Sequence, residues 1–372
     1  MDVKGWDLHM NRRILYLLTA MVFLAAAWSP ARAEEPLIRK GDRLTLEKCI
    51  EIALRLQPSV LSSRYNVKAR EAQLGQAKAP YYPNVNASAG YTHYDAVKKT
   101  GDPHTLIDTY NNEAANVTLN QTLYDFGKTG TGAQVKSLDL ESSRMDLDDT
   151  VTAVVNDVKT AYFGVLKSQR TRRVNAETVN QFREHLAQAR VRYEAGTRPK
   201  YDVTKADVDL SDAELQLINA ENDLEIAWVT LNNAMGYSGT EPYDIEDNLA
   251  SERFEITLDE ALKRAYENRL DLKSLIAQKE SAEKSIELAK KDYYPALTGS
   301  AGYVFTGSQF PLEQGWNAGV TLSMNIFQGN LTKNKVAEAL VAQSRAKLSN
   351  ISALYGYIIA RANIEKAMGN RK

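Results

Sequence analysis

Four histidines, a single cysteine and 47 acidic residues are what this chain has for proton transfer, nucleophilic attack or metal ligation. His9, His93, His104 and His185 are scattered over the N-terminal extension, a polar loop and a long helical stretch, with neither metal-ligand nor triad spacing. Cys49 has no partner for a disulfide and reads as a buried small hydrophobe. The carboxylates fall on the polar faces of helical patterns, where solvation accounts for them. No catalysis, metal or cofactor is expected. The 46 basic residues leave a formal charge of −1, which favours no nucleic-acid partner.

The chemistry that the spacing does support is hydration of one face of a strand. Val85, Ala87, Ala89 and Tyr91 alternate with Asn86, Ser88, Gly90 and Thr92, and Ala115, Val117, Leu119 and Leu123 alternate with Asn116, Thr118, Asn120 and Thr122. Leu297, Ala301, Tyr303 and Phe305 do the same against Thr298, Ser300, Gly302 and Thr306. In the last segment Trp316, Ala318, Val320, Leu322, Met324 and Ile326 alternate with Asn317, Thr321, Ser323 and Asn325. Each segment has the period of a two-faced strand and about the ten residues a tilted strand needs to cross a bilayer. Tyr91, Tyr124, Tyr303, Trp316 and Phe327 near their ends fit an interfacial aromatic girdle. A soluble hairpin alternates in the same way, so the period alone leaves both readings open. Membrane barrels start at about eight strands. Strands that span a membrane here require several chains in one barrel.

The elements that carry these strands are written twice. "YYPNVNASAGY" from Tyr81 returns as "YYPALTGSAGY" from Tyr293, 212 residues on, and "RLTLEKCIEIAL" from Arg43 returns as "EITLDEALKRAY" from Glu255 at the same offset. Thr45 and Thr257 each precede an acidic first turn and a 3.6-period apolar stripe, the mark of a capped amphipathic helix. A constant offset means a duplicated unit. After the first strand pair, Lys128 to Ala195 contains no proline, and Leu147, Val151, Val154, Val158, Ala161 and Val165 step by four and three. Gly196-Thr197-Arg198-Pro199 breaks this helix. Val203, Ala206, Leu210, Ala213, Leu217, Ala220, Leu224, Ala227, Leu231 and Ala234 then repeat in sevens, predicting knobs-into-holes packing against another helix.

The N-terminus reads as an address. Asn11-Arg12-Arg13, the apolar run Ile14 to Trp28 and Ala31-Arg32-Ala33 have the order of an export signal cleaved near Ala33, and Met10 is a second candidate start. Beyond it no apolar run of 18 residues remains.

Together these features resemble the TolC-like outer-membrane efflux proteins. The residues that carry the resemblance are "LTLEKCIEIAL", "YYPNVNASAGY", "LNQTLYDFGK", "RYEAGTRPKYDV" and "LNNAMGY" in the first copy, and "ITLDEALKRAY", "YYPALTGSAGY", "LSMNIFQGN" and "IEKAMGN" in the second. The implied fold is mainly α with a membrane β-hairpin pair: long coiled-coil helices plus four strands per chain contributing to a shared, trimeric, twelve-stranded β-barrel. The implied function is that of the outer-membrane channel component of a tripartite efflux or type I secretion system, a passive conduit for small molecules or proteins. A homotrimer would sit in outer-membrane lipid and span into the periplasm of a Gram-negative bacterium. A periplasmic adaptor and an inner-membrane transporter of RND or ABC type would be its partners. Asn86, Ser88, Thr118, Asn120, Asn317, Thr321 and Ser323 would line the pore, and Gly196, Thr197, Arg198, Asp202 and Val203 would meet the adaptor. The expected organisation is a signal peptide 1–33, a linker 34–42 and a first repeat 43–237 with β-hairpin 84–124 and coiled-coil hairpin 128–235. A linker 238–254 and a second repeat 255–372 follow, the latter with β-hairpin 297–327 and a helix 331–368.

The second copy departs from this pattern. Tyr124 to Met235 spans 111 positions, whereas Phe327 to Met368 spans 41, so about seventy residues and the second hairpin tip are missing. Seventy is ten heptads, and Val336, Ala339, Gln343, Ala346, Asn350, Ala353, Tyr357, Ala360, Ile364 and Ala367 keep the three-four step. One continuous helix of about 35 residues is predicted. The departure predicts gaps in the periplasmic wall, apolar seams facing water and impaired sealing. The alternative is a soluble exported coiled-coil scaffold without channel activity. It accounts for the heptads and the leader but not for the four alternating segments.

Overall fold

The computed structural model describes residues 38–94, 110–239, 241–247, 260, 263–264, 267–308 and 311–367. The expected export signal, the loop around His104, the Thr257 cap and residues 240 and 248–254 of the linker lie outside them. Two units are distinguished. In the smaller one the β-bridge residues of β1 (Arg43–Leu44) pair with β4 (Asp244–Ile245). The Gly41 amide there donates to the Pro242 carbonyl (2.9 Å) and the Asp244 amide to the Asp42 carbonyl (2.9 Å).

The larger unit holds the helices and the main sheet. Helix α1 (Leu46–Leu56) starts where Thr45 accepts the Lys48 amide and buries Cys49, Ile52 and Ala53, one helical stripe. Helix α2 (Pro58–Lys78) begins with proline at a first-turn position, where its missing N–H costs nothing. A short 3₁₀ turn and Pro83 end it. Strands β2 (Asn84–Tyr94) and β3 (Tyr110–Tyr124) follow, then helix α3 (Lys128–Glu194), whose 67 residues span ~100 Å at ~1.5 Å each. Helix α4 (Lys200–Met235) returns antiparallel along it. The heptad residues Val154, Val158, Ala161 and Val165 of α3 and Ala213, Ala220 and Leu231 of α4 are buried.

Helix α4 does not end in solvent. Gly236, at φ +65°, lies against the backbone of Leu56 and Gln57, and Gln57 Nε2 donates to the carbonyls of Asn233 and Ala234 (3.3 Å each). Those are last-turn carbonyls of α4, of which Asn233 also accepts the Gly236 amide (3.1 Å). Helices α4 and α2 therefore stack end to end along α3.

Helix α5 (Leu270–Lys290) packs on the other side of α3, where small residues let the backbones approach: Ser142 and Ser274 share a 2.9 Å hydroxyl contact. After strands β5 (Ala296–Gly307) and β6 (Glu313–Ser323), helix α6 runs unbroken from Leu331 to Ala367, 37 residues. It packs along α5 through half-buried Val336, Ala339, Gln343, Ala346, Asn350 and Ala353. Strand β6 is shorter than its alternation suggests. It stops at Ser323 because its partner β5 begins at Ala296, just after Pro295, and nothing remains to pair with Met324–Phe327. Phe327 is thus outside the strand and 82% exposed.

Candidate pore wall and hairpin tip

The four long strands form one antiparallel sheet in the order β2-β3-β5-β6. Because side chains alternate faces, the register alone assigns every residue to a side. Asn86 pairs with Thr118, Thr118 with Gly302 and Gly302 with Asn317; Asn120 pairs with Asn84 and Ser300; Thr298 pairs with Thr122 and Thr321; Ser88 pairs with Asn116; Ala296 pairs with Ser323. All seven residues expected to line a pore share this face. Its side chains bond one another: Ser88 Oγ donates to Asn116 Oδ1 (2.9 Å) and Thr306 Oγ1 to Asn112 Oδ1 (3.2 Å). A Cβ at Gly302 would meet Asn317 Oδ1 at 2.9 Å, so a larger residue there would turn the Asn317 amide aside. Glu313, opposite Thr306, is the one carboxylate on this face among the described strand residues.

The opposite face holds Val85, Leu119 and Ala301 in one row and Val117, Tyr303 and Trp316 in another. It is apolar and uncovered: Trp316 is 78% exposed, Leu322 67% and Val320 64%. Tyr91, Tyr124, Tyr303 and Trp316 all lie on it, whereas Phe327 falls beyond β6. Two hydroxyls at the loop end are tied down, Tyr91 to Asn111 Oδ1 (2.8 Å) and Tyr303 to Gln314 Oε1 (2.9 Å). One sheet thus has a water-compatible side and a side that is apolar through its middle, with Gln121 toward the helices and His93, Asn111, Glu113 and Gln314 at the loop end.

Where the sheet meets the helices, the Asp292 carboxylate takes Lys128 Nζ at 2.6 Å and Lys335 Nζ at 2.7 Å. Burial alone would raise its pKa, but the two ammonium groups hold it below the ordinary carboxylate range. It ties the first turns of α3 and α6 to the turn before β5. Nothing in the sequence pattern singled it out, since the first copy has Pro80 at that position.

The α3–α4 tip closes with a left-handed residue, Gly196 at φ +72°. The Thr197 amide donates to the Arg192 carbonyl (3.0 Å) and the Gly196 amide to the Tyr193 carbonyl (2.9 Å), a Schellman arrangement. Arg198 reaches Asp202 at 3.4 Å, and Val203 begins the seam with α3. Gly196, Thr197 and Arg198 are exposed, while Asp202 and Val203 are half-buried.

His93 Nδ1 lies 2.8 Å from Asn111 Oδ1 and His185 stands near Phe182. Among the described residues, no group of three or more acidic, histidine and cysteine side chains could hold a metal ion. Burial pushes the Cys49 thiol up to about 12, which makes it a poor nucleophile. No described helix is long and apolar enough to cross a membrane.

Residues 49–237 match the sequence model of the outer membrane efflux protein family. The chain belongs to that family. Among its relatives is Protein CyaE of Bordetella pertussis, 25% identical over 334 residues, an alignment covering 86% of this chain and 69% of CyaE. Alkaline protease secretion protein AprF of Pseudomonas aeruginosa is 27% identical over 183 residues, 49% of this chain and 37% of AprF. The Campylobacter jejuni CmeC outer membrane channel has the same fold, with a TM-score of 0.74 at 16% identity over 84% of this chain and 68% of CmeC. The resemblance to TolC-like proteins and the mainly helical fold with a strand sheet therefore stand.

Proposed function

We propose that this efflux-family chain is the outer-membrane channel component of a tripartite efflux or type I secretion system, a passive conduit built from three copies. The observation that carries the reading is the two-faced sheet with free edges. An apolar face of this size facing water is unfavourable, and unpaired edges on β2 and β6 are not tolerated in a bilayer unless the sheet closes. The helix-side rim supports closure. Measured along β5, it shifts from Ser300, level with Asn120 and Asn84, to Ala296, level with Ser323, four residues over three strand steps. At ~3.4 Å per residue and ~4.8 Å per strand this slant is roughly 43°, within the tilt of closed barrels. Three four-stranded sheets would then make twelve strands, with the Asn/Ser/Thr face inward and the tryptophan and tyrosines toward lipid.

In this reading Gly196, Thr197, Arg198, Asp202 and Val203 form the contact for a periplasmic adaptor, which links the channel to an inner-membrane transporter of RND or ABC type. Export to the outer membrane would use the leader ending near Ala33. The test is extraction followed by planar-bilayer recording. The protein should need detergent, have the mass of a trimer and give discrete conductance steps. A monomer released without detergent would refute the reading and favour the soluble scaffold.

A further inference from the structure

The face of α3 whose Val135 and Ser142 are covered by Ser281 and Ser274 of α5 continues past the end of α5, where Tyr162 donates to the Glu246 carbonyl and Arg170 pairs with Asp247 at 2.8 Å. Phe163 and Arg170 stand three and four heptads further along the same column. They line, with Leu166, Lys167 and Val174, an open groove of about 590 Å³. Phe163 and Val174 are exposed.

Helix α4 has a matching oddity. Tyr201, Val208, Leu215 and Val229 recur at multiples of seven and are 53–72% exposed. They lie on the side opposite the Ala213, Ala220 and Leu231 seam with α3, and Ile226 flanks them. A helix with apolar columns on opposite sides is built to stand between two helices. Its own chain supplies one.

Heights decide what fits. Ion pairs Arg172–Glu221, Arg183–Glu214 and Arg190–Asp207 join residues whose numbers sum to between 393 and 397. That register puts Val229 level with residues 164–168 of α3 and Ile226 level with 167–171, which is the height of the groove. Glu225 is level with 168–172, beside the basic side chains Lys167 and Arg173 that flank it. Copies related by rotation about a common axis keep their heights. The α4 knobs of one copy therefore face the α3 groove of the next.

We infer that the α3–α4 hairpins of neighbouring copies close directly on one another below α5, with Ile226 and Val229 of one copy seated in the Phe163–Val174 groove of the next. This rests on the trimer reading. Six helices ~10 Å apart form a ring of axis radius ~10 Å, against ~19 Å for the twelve helices at the level of α2, α3, α5 and α6. The tunnel narrows to a bore of about 10 Å instead of standing open at the sides.

Disulfide trapping tests it, with the pair Phe163→Cys/Val229→Cys. Within one chain these positions point away from each other on helices ~10 Å apart, too far for a disulfide. Mild oxidation of the detergent-extracted trimer should give covalent dimers and trimers from the pair and none from the single variants. A trimer of verified mass in which the pair stays reduced overturns the closure and leaves the groove to a helix from another protein, while the trimer itself stands. A monomer sinks the trimer reading and the closure together.

Discussion

Replacing Gly236 with alanine should part α4 from α2, and the cost can be worked from its neighbours. At φ +65° an L-residue costs about 1 kcal/mol. The added Cβ would also stand 2.9 Å from Gln57 Cα and 3.0 Å from both Gln57 N and Leu56 C. These are backbone atoms, so no rotamer change relieves them and the helix ends must separate, at about 1–3 kcal/mol. Separation weakens the two Gln57 hydrogen bonds to α4 carbonyls, each of order 1 kcal/mol or less. The sum is about 2–6 kcal/mol. Gly196 is the control: its φ is +72°, but a Cβ there meets nothing within 4 Å, so Gly196→Ala should cost only the ~1 kcal/mol of backbone strain. Helical circular dichroism on the same detergent-extracted protein measures both. Gly236→Ala should melt several degrees below Gly196→Ala. Coincident melts would refute the claim that α4 and α2 behave as one stacked column.

Asp292→Asn should lower stability at neutral pH by about 1–2 kcal/mol, since two charge-assisted contacts go but both lysines are half exposed. A carboxylate held below its unfolded pKa stabilises above the ordinary carboxylate range and loses that contribution as pH falls through its folded value. Melting of the wild type should therefore drop more steeply than that of Asp292→Asn on acidification below about pH 4. Val320→Asp, on the apolar face, should block membrane assembly, whereas Thr321→Asp, one residue on but facing the other way, should assemble and alter conductance; outer-membrane fractionation distinguishes them. Leu231→Ala, in the fully buried α3–α4 seam, should cost about 2–5 kcal/mol by thermal melting.

What the sequence made legible is what repeats. The period-two segments placed Asn86, Thr118, Asn317 and their companions on one face because the side-chain period of a strand is fixed by its backbone. The three-four stepping of Val154 to Val165 and of Ala213 to Leu231 marked their buried sides for the same reason. What stayed hidden depends on where an element stops. Met324 and Ile326 continue the alternation of β6, yet β5 has ended and no ladder reaches them. Gln57 carries no sign in the sequence that it serves a helix 176 residues away. Asp292 looks like one more solvated carboxylate until the starts of α3 and α6 converge on it.

The ten-heptad shortening of the second copy leaves α6 in phase, but α5 does not require that phase. The half-buried stripe of α6 reaches Ala353, and the junction falls near Ser349 to Ala353, so only the last turn of the seam lies beyond it. A loss of some other length would have turned the remaining helix by about 100° per residue with little cost to the α5 contact. The phase matters instead to the other side of the helix. Leu348, Ile351, Tyr355 and Ile358 form a second apolar column running across the junction, and all four are exposed. A column that stays continuous where the chain's own packing does not need it is built for a surface outside the chain. In the proposed trimer a neighbouring copy would supply one. The shortened copy would then depend on its neighbours twice: α6 for a cover on its outer column, and α3 for the helix that would have continued α5.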